Sequence, residues 1–288
     1  MSTLSIPVAA LLGLVQGLAE FLPISSSGHL NLIQALFHFQ PQNQLLFNIL
    51  LHMGTLIAVL VVFWKDWLQM LLHPIRNKTL LLLIIASLPA LVGVVLFKDP
   101  LDYLETHNLY LGVCFLFTGL LLMLTQWLST RNERAQQTTG EVRIPNALVM
   151  GVMQAIAMLP GVSRSGSTLF GGVASKLDRQ TAAKFCFMMS MPAILASFLS
   201  EGYHAVKDGA FTISGELPAI LVGMVVAGVS GYLAIRFMLR IITRVSLNWF
   251  ALYVILLGIT VLVLQATGVI ADVPDTMQTA ARVWSALL

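Results

Sequence analysis

Leu22-Pro23-Ile24-Ser25-Ser26-Ser27-Gly28 breaks an apolar run over 6–38, and Leu159-Pro160-Gly161-Val162-Ser163-Arg164-Ser165-Gly166 breaks a second over 145–176. The flanks of each break are too short to cross a bilayer, which takes about 20 apolar residues. Both runs are therefore predicted to be re-entrant hairpins, each made of two half-helices meeting at a polar tip. Irregular backbone at membrane depth survives only when it is buried in protein or lines a wet cavity, so the tips are where a site is expected.

The two broken runs resemble each other. Gly13-Leu14-Val15-Gln16 matches Gly151-Val152-Met153-Gln154, Leu-Pro follows at 22–23 and 159–160, and Ser-Gly follows at 27–28 and 165–166. Six unbroken apolar stretches, near 45–64, 79–97, 109–128, 185–200, 217–235 and 247–268, have spanning length, three after each hairpin. The predicted fold is an all-α integral membrane protein of two repeats, 1–128 and 145–268. A polar linker at 129–144 joins them and a tail follows at 269–288. Each repeat holds one re-entrant hairpin and three transmembrane helices.

Composition agrees with this class. Of 288 residues, 57% are apolar and 10% charged, against roughly 25% charged in soluble domains, and mean hydropathy is +0.86. An ordinary cytosolic enzyme is excluded. The net charge of +3 is read as loop asymmetry; with no block of five like charges, no nucleic-acid partner is expected. Cys114 and Cys186 lie in apolar runs, so neither a disulfide nor a thiolate metal site is expected. The N-terminus lacks a basic n-region and a small-residue cleavage site, and no removable signal peptide is expected.

Loop charges set the expected orientation. Lys65, Arg76 and Lys78, then Arg131, Arg134 and Arg143, then Lys176, Arg179 and Lys184, then Arg236, Arg240 and Arg244 mark loops on the cytoplasmic side. Asp99, Asp102 and Glu105, then Glu201, Asp208 and Glu216 mark the outside. Both termini then face outward, and three spans per repeat, an odd number, give the repeats opposite topology. Inverted repeats with discontinuous helices place a polar site near the midplane, at the repeat interface.

Nearly every charge falls in a loop or at a segment end; Glu20 and Arg164 do not, and each stands beside one break. A charge at the bilayer centre costs about 2.5–3.5 kcal/mol on insertion scales, so an acid and a base in equivalent places point to one shared pocket. A buried ion pair that merely locks the repeats would not need the hydroxyls around it: Ser25, Ser26 and Ser27 with His29 on one tip, and Ser163, Ser165, Ser167 and Thr168 on the other. Hydroxyls, a guanidinium and helix N-terminal amides together suit a phosphate or diphosphate. His29 has the chemistry of a general base or nucleophile. Gln16 and Glu20, four apart on one helix face, have the hard oxygens for a divalent cation completed by phosphate and water. His52, in the apolar run before Met53-Gly54-Thr55, is a weaker candidate for a neighbour of the site.

These motifs resemble the undecaprenyl-diphosphate phosphatases, the bacitracin-resistance protein family. Gln16-Gly17-Leu18-Ala19-Glu20 followed by Pro23-Ile24-Ser25-Ser26-Ser27-Gly28-His29 is similar to the family's first signature, and Pro160-Gly161-Val162-Ser163-Arg164-Ser165-Gly166-Ser167-Thr168 to its second. The likeness covers about residues 5–268. It implies a phosphatase in the bacterial inner membrane, with its site facing the periplasm. Such an enzyme converts undecaprenyl diphosphate to undecaprenyl phosphate and so recycles the carrier for cell-wall synthesis. It also implies dependence on Mg²⁺ or Ca²⁺ at Gln16 and Glu20. By the same resemblance Glu20, His29, Ser26 and Arg164 are the catalytic candidates, and Ser25, Ser27, Ser163, Ser165 and Thr168 contact substrate. Gln16 stands where many members have Glu and has no acid–base chemistry, which puts proton transfer on Glu20 or His29. Partners are the lipid diphosphate and membrane lipid, with a homodimer allowed. The rival readings are a prenyl-phosphate flippase using the same anion site, and a non-catalytic channel or assembly factor.

Overall fold

The computed structural model describes residues 4–37, 41, 44–74, 77–96, 110–159, 161–207 and 215–270. Among these the chain forms helices α1 (Ile6–Phe21), α2 (Ser26–Phe37), α3 (Gln44–Val62), α4 (Trp64–Leu72), α5 (Lys78–Leu96), α6 (Leu111–Arg134), α7 (Ile144–Ile156), α8 (Arg164–Ala174), α9 (Arg179–Lys207), α10 (Leu217–Ile241) and α11 (Asn248–Ala266). Five are long and apolar enough to cross a membrane: α5, α6, α9 over Arg179–Leu199, α10 and α11. Helices α3 and α4 together make a sixth if the pair counts as one span. The protein is an all-helical, multi-pass membrane protein.

Helices α1 and α7 are apolar but only 16 and 13 residues long. Both open with Pro at the first turn, where its missing N–H is an orphan anyway. Helix α1 stops because Pro23 pushes Leu22 into extended geometry, with ψ at 144°. The chain then turns into α2, as α7 turns into α8. Ser25 accepts the Gly28 amide at 3.3 Å, and Ser163 accepts the Gly166 amide at 3.1 Å. Each tip thus starts its second helix with a serine side chain satisfying an N-terminal amide.

The differences from the sequence reading lie at helix ends. Residues 65–78, expected to be a loop, are largely α4, which bends away from α3 by 75°. Its buried residues Trp67 and Met70 are three apart on one face, while Asp66 pairs with Lys184 at 2.7 Å. Too short to register as an apolar run, it is held by an amphipathic stripe. Helix α6 runs on to Arg134 through the expected start of the linker, α9 begins at Arg179 inside an expected loop, and α10 continues to Ile241. Arg and Lys are good helix formers and suit a helix C-terminus, so a helix leaving the apolar layer need not stop where charge begins. Glu216, expected on the outer surface, is buried and accepts the Leu4 amide at 2.6 Å. Arg76, Asp99, Asp102, Glu105, Pro160, Asp208 and the tail from 271 lie outside the described residues.

Small residues set the main crossings. Helix α1 packs along α10, α3 along α10 and α9, α5 along α7, and α6 along α11. A Cβ at Gly13 would strike the Gly223 carbonyl, and one at Gly17 would strike Ser230 Oγ and the Ala227 carbonyl. Such close backbone approach needs small residues on both helices. Gly17→Leu should therefore destabilise the fold by about 1–3 kcal/mol or more. Thermal unfolding of the detergent-purified variant reads this, and an unchanged midpoint would contradict the packing described.

Candidate active site

The tips of the two broken runs meet. Arg164, the first residue of α8, donates from Nη2 to Glu20 Oε1 at 2.6 Å, with the two side chains 20% and 7% exposed. Its Nη1 reaches the Ser190 carbonyl on α9 at 3.4 Å. Glu20 sits one residue before the end of α1, and its other oxygen accepts from Ser26 Oγ at 2.5 Å and from Gln16 Nε2 at 3.0 Å. Gln16 is one helical turn behind Glu20, so its amide lies over the carboxylate. Ser165 Oγ donates to the Leu22 carbonyl at 3.0 Å, a second link between the tips. The Ser163 amide donates to Thr118 Oγ1 on α6 at 3.0 Å.

These groups face a cavity of about 750 Å³. The tip residues Glu20, Ser25, Ser26, Ser27, Ser163, Arg164 and Ser165 form its polar end, and His52, Ser87, Gln154 and Ser197 are further polar residues on its wall. The remaining wall is apolar, including Ile84, Leu88 and Leu91 of α5, Met158, and Ile194 and Phe198 of α9. A charged, hydroxyl-rich end joined to an apolar wall suits an amphiphile with an anionic head. Two positions hold the tips in unusual backbone. Ser25 has φ +72°, a conformation that non-glycine residues adopt rarely and that clusters at functional sites. Gly161 has φ +89°, and a Cβ there would come within 2.8 Å of Leu111 Cδ1.

Not every expected site residue reaches the cavity. His29 is turned aside: Nδ1 lies 2.6 Å from the Ser25 carbonyl, Nε2 lies 2.8 Å from Tyr253 Oη, and the ring stacks on Tyr253. Both nitrogens are thus engaged by protein, and the imidazole braces the strained Ser25 turn instead of meeting Glu20. Thr168 donates back to the Arg164 carbonyl at 2.8 Å and packs against Cys186, the usual local bond of a hydroxyl inside a helix. Ser167, counted among the tip hydroxyls, is buried away from the cavity wall. Gln154 joins the site unforeseen; its signal in the sequence is its match to Gln16. Tyr253 and Thr118 carried no sequence signal, since each stands between apolar or small neighbours in an apolar helix.

Gln16 Oε1 is buried with no hydrogen-bond partner among the described residues, beside the Glu20 carboxylate. Both are hard oxygen donors, the chemistry Mg²⁺ and Ca²⁺ prefer, so these residues fit a divalent cation. Among the described residues no cluster of three or more His, Cys, Asp or Glu forms, so oxygens of a bound phosphate would have to complete its shell.

A family model described as bacitracin resistance protein BacA matches residues 9–260. An undecaprenyl-diphosphatase of Carboxydothermus hydrogenoformans is 41% identical over 261 residues, covering 90% of this chain and 97% of the relative. Undecaprenyl-diphosphatase 4 of Bacillus thuringiensis subsp. konkukian is 37% identical, covering 91% and 98%. An undecaprenyl-diphosphatase of Thermodesulfovibrio yellowstonii is 35% identical, covering 89% and 96%.

Proposed function

The chain belongs to the bacitracin resistance protein BacA family, and from that premise we propose that it is an undecaprenyl-diphosphate phosphatase whose chemistry is carried by Glu20, Ser26 and Arg164. It hydrolyses undecaprenyl diphosphate to undecaprenyl phosphate and inorganic phosphate. The observation that carries the residue assignment is the Ser26–Glu20–Arg164 chain of hydrogen bonds at the polar end of the cavity.

In this mechanism the diphosphate enters the polar end and draws the Arg164 guanidinium partly off Glu20, since a planar fork binds phosphate oxygens in pairs. Glu20, released from its counter-ion, takes the Ser26 proton. The serine oxygen attacks the terminal phosphorus, the bond to the bridging oxygen breaks, and the lipid phosphate leaves with the electron pair. Glu20 passes its proton to the departing lipid phosphate; water then attacks the phosphoserine, keeping one proton on the new phosphate oxygen and giving the other to Glu20, which returns it to Ser26 Oγ as inorganic phosphate departs. Arg164 and the hydroxyls of Ser25, Ser27 and Ser163 stabilise the charge that builds on the phosphoryl oxygens. His29 is a positioning residue that holds the Ser25 carbonyl and so the Ser26 approach. Gln16 and Glu20 would hold the divalent cation, which when bound supplies further neutralisation of phosphate charge.

Ser26→Ala should lower turnover by at least about 10³-fold. Terminally ³²P-labelled lipid diphosphate should label wild type, quenched in acid, but not the variant. A variant with wild-type turnover overturns the assignment of Ser26.

We place the protein in the bacterial inner membrane, with the site open to the periplasm, both termini on that side and the linker in the cytoplasm. Lys65 on α4 and the basic residues in the last turns of α6 and α10 support this orientation. The two inverted repeats are part of the same reading. What supports them is exchange: α1 packs on α10 as α7 packs on α5, α3 packs on α9, and α6 packs on α11. The paired Ser-x-x-Gly caps of the tips support it further. In this reading α1–α2 and α7–α8 are the re-entrant hairpins, entering from opposite faces. A flippase would want the anion site, but it has no need of a hydroxyl bonded to a carboxylate.

A further inference from the structure

Gln154 lies on α7, at the place in Gly151-Val152-Met153-Gln154 that Gln16 holds in Gly13-Leu14-Val15-Gln16. The two glutamines do different things. Gln16 spends its amide nitrogen on Glu20. Gln154 is 4% exposed and lines the cavity that holds Glu20 and Arg164, yet neither its Nε2 nor its Oε1 has a hydrogen-bond partner among the described residues. Buried amides are almost always paired, so a partner is to be sought in what enters the cavity.

We propose that Gln154 contacts the substrate directly, donating from Nε2 to oxygens of the lipid diphosphate. The inference rests on the phosphatase reading and deepens it. Donor supply argues for the anion. Ser26 gives its proton to Glu20, Ser165 gives its proton to the Leu22 carbonyl, and Arg164 gives Nη2 to Glu20. The pair of Glu20 and Arg164 is close to neutral, whereas a diphosphate monoester carries two to three negative charges. The two uncommitted N–H groups of Gln154 add donors without adding charge. A carboxylate at 154 would instead add negative charge to the cavity and repel the head group.

The test uses the full-length protein in detergent, with farnesyl diphosphate as substrate and its methylene-bridged bisphosphonate as a non-hydrolysable competitor. Wild type, Gln154→Met and Gln154→Glu are compared for kcat, KM, competitor inhibition constant and Mg²⁺ dependence. Removing a hydrogen bond to a charged group should weaken competitor binding in Gln154→Met by about tenfold or more. Its unfolding midpoint should be unchanged or higher, because the variant deletes an unpaired buried amide. Gln154→Glu should bind the competitor more weakly than Gln154→Met, and added Mg²⁺ should not restore it. Unchanged competitor binding in Gln154→Met overturns the proposal. So does competitor binding in Gln154→Glu that matches wild type and tracks Mg²⁺, since the side chain would then face the cation. Hydrolysis by wild type is the separate check: its absence with Gln154-dependent binding intact would defeat the phosphatase reading and leave the contact standing.

Discussion

Arg164→Ala is expected to cut phosphate release by about 10³-fold or more and to leave a folded but less stable protein. Two losses combine. The guanidinium is the one cation reaching the polar end of the cavity from α8, and removing an arginine that stabilises phosphoryl transfer costs roughly 10³–10⁵ in rate. The second loss concerns Glu20, whose Oε1 is held by Arg164 at 2.6 Å and whose side chain is 7% exposed. Stripping one partner from a buried ion pair typically costs about 3–5 kcal/mol, because the other charge is left unpaired. The double variant Glu20→Gln/Arg164→Met separates the losses. It should recover much of the stability, with no buried charge left, and none of the turnover. Arg164→Lys should remain strongly impaired, since an ammonium lacks the fork that reaches Glu20 and the Ser190 carbonyl together. Phosphate release and thermal unfolding on the same preparations read both effects. Wild-type turnover in Arg164→Ala would remove the arginine from the mechanism.

Glu20→Gln is expected to lower kcat by about 10²–10⁴-fold, the range for loss of a general base, without weakening substrate binding. The amide keeps the shape of the side chain but has no appetite for the Ser26 proton. It also frees Arg164 from its counter-ion, so the guanidinium should meet the anion more readily and the competitor should bind as tightly as in wild type or more so. The split between a collapsed kcat and a preserved inhibition constant distinguishes a base from a residue that only anchors Arg164. A retained kcat would place proton transfer elsewhere, with His29 the first alternative to examine.

Much of this arrangement is written in the sequence, for identifiable physical reasons. Glu20 and Arg164 stand out because charge in an apolar run needs a partner, and the structure joins them directly. The breaks at Leu22-Pro23 and near Leu159 are legible because proline and glycine act through the backbone, independently of tertiary context. What depends on three-dimensional packing is not legible. His29 has the chemistry of a base, but the Ser25 carbonyl and Tyr253, 224 residues away, take both ring nitrogens. Thr168 matches a phosphate-binding motif yet satisfies its hydroxyl on its own helix. Helix α4 is too short for an apolar-run criterion and is held by Trp67 and Met70 against the body of the protein. Gln154 shows in the sequence only as an echo of Gln16; its unpaired amide is a fact of the cavity.

The most direct test of the account is inorganic phosphate release from undecaprenyl diphosphate by the detergent-purified protein and, in parallel, by Glu20→Gln, each with and without EDTA. The account predicts release by wild type that EDTA abolishes and Mg²⁺ or Ca²⁺ restores, and almost none from the variant under any condition. Folded wild type that releases no phosphate with either cation, or a Glu20→Gln variant that releases it at the wild-type rate, would contradict it.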